Sequence, residues 1–250
     1  MKEKLNNDDA ENIFDLRNVR IGFIPVGKML EPTSRLSFDR ETQNGVREAK
    51  EILKKKGLFI LDAHYGRLDV LGTGINMARE LNFKTCIVPS SFVNLERPIL
   101  TKFYKALREQ GIALLPTYRK SSIVPEKERK KVEEMPEEEV LMKNNIWKVK
   151  TRQVLPLPGS VVFIAVYGGM NKPGGYIPYG TEEVLKIGNP ALCTLTVYNK
   201  RSFVPMTTYT SGECLVFDEK SSNHDMYEKI LAEHRKIAGR AGFDPDYFKS

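Results

Sequence analysis

This 250-residue chain has a single tryptophan, three histidines and three cysteines. Cys86, Cys193 and Cys214 are scattered without metal-ligand spacing. Each sits in an apolar or strand-like run and reads as a core thiol rather than a nucleophile. An odd cysteine count without a secretory signal places the expectation in a reducing, cytoplasmic compartment. No stretch reaches the roughly 18 apolar residues of a membrane span. The longest apolar run, Val161–Tyr167, has the length of a strand, so the chain reads as soluble or peripheral at a membrane. It contains no internal repeat and no low-complexity segment. Histidines 224 and 234 have no carboxylate or cysteine at ligand spacing and read as surface residues.

What is present is ordinary for a globular protein: 41% hydrophobic and 28% charged residues, enough for a sizeable core. The length suits one large α/β domain or two small ones, and the chain is read as a single α/β domain over residues 1–250. The net charge of +7 and pI of about 9.2 favour an anionic partner: a phosphate-bearing substrate, an acidic carrier protein, an anionic membrane surface or nucleic acid.

Apolar patterning divides the chain. Arg20–Val26, Leu58–Leu61, Lys84–Pro89, Ile112–Pro116 and Ser160–Val166 read as strands. Helical spacing predicts helices over Glu41–Lys56, Leu68–Leu81, Arg97–Gln110, Thr181–Tyr198 (interrupted near Gly188-Asn189-Pro190) and Asp225–Ala238. Ser202–Tyr209 and Glu213–Phe217 read as two further strands around a Ser211-Gly212 turn. Strands alternating with helices imply a mainly parallel mixed sheet flanked by helices. Ile123–Gln153 is a charge-dense insert. Its first part has no apolar face and reads as a solvated loop. Its second part reads as a helix packing on the body through Leu141, Ile146, Val149, Gln153 and Val154, with Trp147 structural rather than a nucleic-acid contact.

The chemistry concentrates at three strand ends. Leu58–Gly72, LFILDAHYGRLDVLG, reads as strand, tight turn and helix. His64 follows the strand, and Asp69 falls in the helix's first turn. In open α/β sheets the crevice beyond the strand ends binds ligands. A carboxylate that fixes a histidine tautomer leaves the other ring nitrogen to take a proton. The simpler reading is a turn-capping histidine and an aspartate at a helix N-terminus. Beyond the strand at Ile112–Pro116 come Arg119 and Lys120, either anion ligands or solvated loop cations. Beyond Ser160–Val166 come Gly168 and Gly169, then Lys172. Paired glycines let backbone N–H groups approach an anion, or simply make a turn.

In this order the segments resemble the motifs of the glycerolipid acyltransferase superfamily. His64-x-x-x-x-Asp69 resembles the first, and the context HYGRLDVLG is also similar to lipid A acyltransferases. Arg119, with Lys120 beside it, resembles the phosphate-binding basic residue of the second. Ile164-Ala165-x-x-Gly168-Gly169 and Pro173 resemble the third motif of plastid-type glycerol phosphate acyltransferases, and Val204-Pro205 the fourth. The chain departs from the pattern at Ala63, where asparagine is common, at Tyr167, near a glutamate position, and at Met170, where arginine is expected. The resemblance implies a glycerolipid acyltransferase-like fold with His64 as base and Asp69 as its orienting carboxylate. It implies Arg119, Lys120 and Lys172 on an acceptor phosphate, and the Gly168–Gly169 amides on the oxyanion. The donor would be acyl-carrier protein or acyl-CoA, with no metal and no other cofactor. The acceptor would be glycerol 3-phosphate, or alternatively lysophosphatidate or a lipid A precursor, with peripheral membrane contact and no nucleic acid. A hydrolase, and a non-catalytic phospholipid- or nucleic-acid-binding module, are the readings the charge and the His–Asp pair leave beside it.

Overall fold

Apolar runs such as Leu58–Leu61 and Val161–Ala165 set up the sheet. The computed structural model of the protein describes residues 34–37, 39–63, 80–91, 112–118, 126–167, 177, 180–199 and 206–248. Its strands are β1 (Ser34–Leu36), β2 (Leu58–Asp62), β3 (Thr85–Ser91), β4 (Ile112–Thr117), β5 (Ser160–Ala165), β6 (Ala191–Asn199) and β7 (Met206–Leu215). They form one seven-stranded sheet in the order β1-β7-β6-β2-β5-β3-β4. β6, β2, β5, β3 and β4 run parallel, while β7 is antiparallel to β6 and carries β1 parallel to itself. The mainly parallel mixed sheet expected from the alternating pattern is therefore present. β2 is buried along its whole length, as a central parallel strand must be.

Helices cover both faces. On one, α1 (Arg40–Leu53) packs Val46, Ala49 and Leu53 against Leu58, Ile60, Phe163, Leu192 and Tyr209. Asp39 caps it: Oδ1 accepts from the Thr42 N–H at 2.9 Å. At Gly45 the helix meets the Gly212 carbonyl of β7 so closely that no Cβ fits between them. The opposite face carries α3 (Glu137–Val154), α4 (Thr181–Leu185) and α5 (Asn223–Arg240), whose apolar residues close over Phe59, Leu61, Val162, Ile164 and Cys193. Asn189 ties the sheet's lower edge together, its Nδ2 donating to the carbonyls of Gly57 at 2.9 Å and Leu155 at 3.1 Å.

Several expectations change. Ala191–Asn199 is not the second half of a helix but the strand β6. Both its faces are covered, so its residues show no alternation of apolar and polar types, and Thr194 and Thr196 are fully buried. Ser211-Gly212 does not turn the chain: β7 runs through it as one strand. The start of the insert is helical, α2 (Glu126–Glu133), and buries Val132 against Val140. The later part is the expected helix α3, but Val140, Trp147, Lys148, Thr151 and Val154 face inward, whereas Leu141, Ile146 and Val149 face solvent. The strand at Arg20–Val26 and the helix at Arg97–Gln110 lie outside the described residues.

Candidate functional site

Parallel strands bring their C-terminal ends to one edge. Asp62 of β2 lies beside Ala165 of β5 and Thr194 of β6, and Thr117 of β4 lies beside Ser91 of β3. The chain leads from β2 to strands on one side, β3 and β4, and from β5 to a strand on the other, β6. The sense of winding thus reverses at the neighbouring strands β2 and β5, the position where open α/β sheets bind ligands. β4 stands three strand spacings from β2, about 14 Å.

All seven site residues read from the sequence, His64, Asp69, Arg119, Lys120, Gly168, Gly169 and Lys172, lie outside the described residues. What is described is the ground from which the chain reaches them. His64 is the second residue after Asp62, Arg119 the second after Thr117, and Gly168 the third after Ala165.

Each of these strand ends is fixed by polar contacts. The Asp62 carboxylate is fully buried and accepts from the Thr194 hydroxyl at 2.9 Å. Near it, on the α1 face, the buried Tyr209 phenol is pushed well above its ordinary value, by burial first and by the Asp62 charge second. At the end of β4, the Asn144 side chain of α3 accepts from the Tyr118 N–H and donates to the Tyr118 carbonyl, each at 2.8 Å. One carboxamide thereby holds the last described residue before Arg119.

On the opposite face lies a residue the sequence reading misplaced. His234, expected at the surface, is fully buried. Its Nε2 is 3.1 Å from the Leu61 carbonyl and its Nδ1 is 2.8 Å from the Tyr167 hydroxyl. A carbonyl can only accept, so Nε2 carries the hydrogen and Nδ1 accepts from Tyr167. Burial pushes the imidazole down to about 4, which keeps it neutral. Phe248 stacks on the ring at 5.8 Å. His234 therefore joins β2, at Leu61 next to its last residue Asp62, to Tyr167, the residue before Gly168. The signal was its spacing: Tyr227, Ile230, Leu231, His234, Ile237 and Ala238 form one helical stripe. His224 is exposed, as expected.

Elsewhere, Lys148 of α3 reaches Glu183 of α4 at 2.9 Å across a crossing where Gly180, at φ +86°, leaves room for its stem. Cys86 and Cys193 are buried, and burial pushes the Cys86 thiol up to about 12. These are core thiols rather than nucleophiles. Among the described residues no group of three His, Cys, Asp or Glu side chains could hold a metal ion. Among them, too, no helix is long and apolar enough to cross a membrane. No protein-family model matches this sequence, and no curated protein shows significant similarity to it.

Proposed function

We propose that this chain is an acyltransferase that moves a fatty acyl group from an acyl thioester, of acyl-carrier protein or coenzyme A, to a hydroxyl of glycerol 3-phosphate or a related phosphorylated acceptor. The supporting observation is the shared edge of β2, β5 and β4, the three strands after which His64, Gly168–Gly169 and Arg119–Lys120 follow in sequence.

The chemistry needs few parts. An alcohol is a weak nucleophile, so His64 takes its proton as the oxygen attacks the thioester carbonyl, with Asp69 holding the imidazole and stabilising its charged form. The Gly168 and Gly169 amides receive the oxyanion. The carbon–sulfur bond then breaks, and the imidazolium returns the proton to the leaving thiolate. Arg119, Lys120 and Lys172 hold the acceptor phosphate through charge-assisted hydrogen bonds. The enzyme's positive charge suits both anionic donors. Association with a bilayer is peripheral in this reading, and a lysophosphatidate or lipid A-type acceptor is the second substrate class.

The test is free-thiol release from acyl-CoA and acyl-carrier protein, with and without glycerol 3-phosphate, for the wild type and His64→Ala. Release that requires the acceptor and falls by about 10²–10⁴-fold in the variant supports the reading. Release without acceptor assigns a hydrolase. Release from neither donor, with soluble and lysolipid acceptors alike, refutes acyl transfer and leaves a binding module.

A further inference from the structure

Helix α3 has two apolar faces, and among the described residues only one of them packs on the body. Val140, Trp147, Thr151 and Val154 pack on the body. Opposite them, Met142, Ile146 and Val149 recur at i, i+4 and i+7 and stay 48%, 40% and 40% exposed, with the exposed Gln153 among them. An apolar stripe turned to solvent calls for an occupant.

The charges around it define that occupant. The acids of α3 sit in its first turn, Glu137 to Glu139. From Lys143 to Val154 the helix has four cations and no acid. Lys148 is turned inward, onto Glu183. At 3.6 residues per turn, Lys150 borders the stripe on one side and the exposed Arg152 on the other, while Lys143 is held by Glu139 at 2.7 Å. Long cationic side chains at the margins of a shallow apolar stripe are the pattern of a helix lying in a lipid interface, its stems in the apolar layer and its charges among headgroups. A protein partner, or a second copy of this chain, fits less well: three part-exposed aliphatic side chains fall short of the ~800 Å² per partner of a stable interface.

We propose that the outward face of α3 docks this protein on an anionic lipid bilayer. The inference rests on the peripheral-membrane part of the proposed function and is independent of its chemistry. Through Asn144 the inward face of the same helix holds Tyr118, at the end of β4. One helix diameter, about 10 Å, then separates lipid from the strand that leads to Arg119.

The test is co-sedimentation of the full chain with phosphatidylcholine vesicles, with and without phosphatidylglycerol, at low and high salt. The wild type binds the anionic vesicles and loses binding as salt rises. The variant Met142→Ser/Ile146→Ser/Val149→Ser keeps its thermal unfolding, because all three side chains face solvent. Its partitioning falls about fivefold per side chain, about 100-fold in all, from half the transfer free energy of a fully buried aliphatic residue. Lys150→Gln/Arg152→Gln lowers anionic binding and flattens its salt dependence. A wild type that ignores anionic vesicles, or a triple variant that binds equally well, overturns the proposal. So does a dimer that the triple variant dissolves, which would assign the face to a second copy. Thiol release with a water-soluble acceptor, measured on the triple variant, stays at the wild-type level, so loss of docking and loss of chemistry are read separately.

Discussion

Protonating His234 should loosen the whole fold. The ring is fully buried, and its only titratable nitrogen, Nδ1, already accepts from Tyr167. In the native state it titrates at about 4 against an ordinary 6.5. Above pH 6.5 both folded and unfolded histidines are neutral and stability does not depend on this group. As pH falls below 6.5 the unfolded chain takes up a proton that the native ring refuses, so stability drops until about pH 4. Each pH unit in that window is worth 1.36 kcal/mol, a total of about 3 kcal/mol, of which about 2 kcal/mol falls between pH 6.5 and 5, before most carboxylates titrate. Urea unfolding of the wild type and His234→Gln at a series of pH values measures it. Glutamine keeps a donor for the Leu61 carbonyl and cannot titrate, so the variant's stability changes by about 2 kcal/mol less over the same window. With three histidines in the chain, the ring resonances can be assigned by single substitution, and that of His234 should stay unshifted above pH 5. Equal pH slopes for the two proteins, or a His234 resonance moving near pH 6.5, refute the reasoning.

Three further outcomes follow from packing and burial. Gly45→Ala drives a Cβ into the Gly212 carbonyl and lifts α1 from β7, and a thermal melt should register a loss of about 1–3 kcal/mol. Gly239→Ala, within α5 and with open space around it, should instead gain up to ~1 kcal/mol in the same measurement. Cys86 and Cys193 should resist a thiol reagent at pH 8 in the native protein and react fully in denaturant, since burial raises both thiols. Rapid native labelling of either would contradict the core described above.

How much was legible depended on whether a residue's neighbours in sequence are also its neighbours in space. β2 and β5 stand out because strands covered on both faces become continuous apolar runs, and Gly57 ahead of β2 marks its start. β6 hid for a related reason. Its polar residues, Thr194 and Thr196, are buried by contacts made across the sheet, Thr194 with Asp62, and that partner is 132 residues away. Ser211-Gly212 looked like a turn because small residues usually mark one. Here their smallness lets α1 and the Glu233 side chain approach β7, a requirement of packing that local spacing does not encode. His234 is readable from its stripe, whereas the lack of ligand spacing around it says nothing about burial. Of the candidate site, the sequence supplies the residue types and the fold supplies the common edge of their strands.

One consequence of the Asn144 contact concerns the rim of the sheet. β4 is the last strand in the described order. Outermost strands are templates onto which a foreign strand can add, because their backbone groups point outward unpaired. At Tyr118, just past the end of β4, a side-chain amide already plays the part of a neighbouring strand, giving and taking one hydrogen bond each. While α3 stays seated, no other chain can register against that residue. Should the helix peel away, the position reopens, so the seating of α3 also guards this end of the sheet against fibril-like growth.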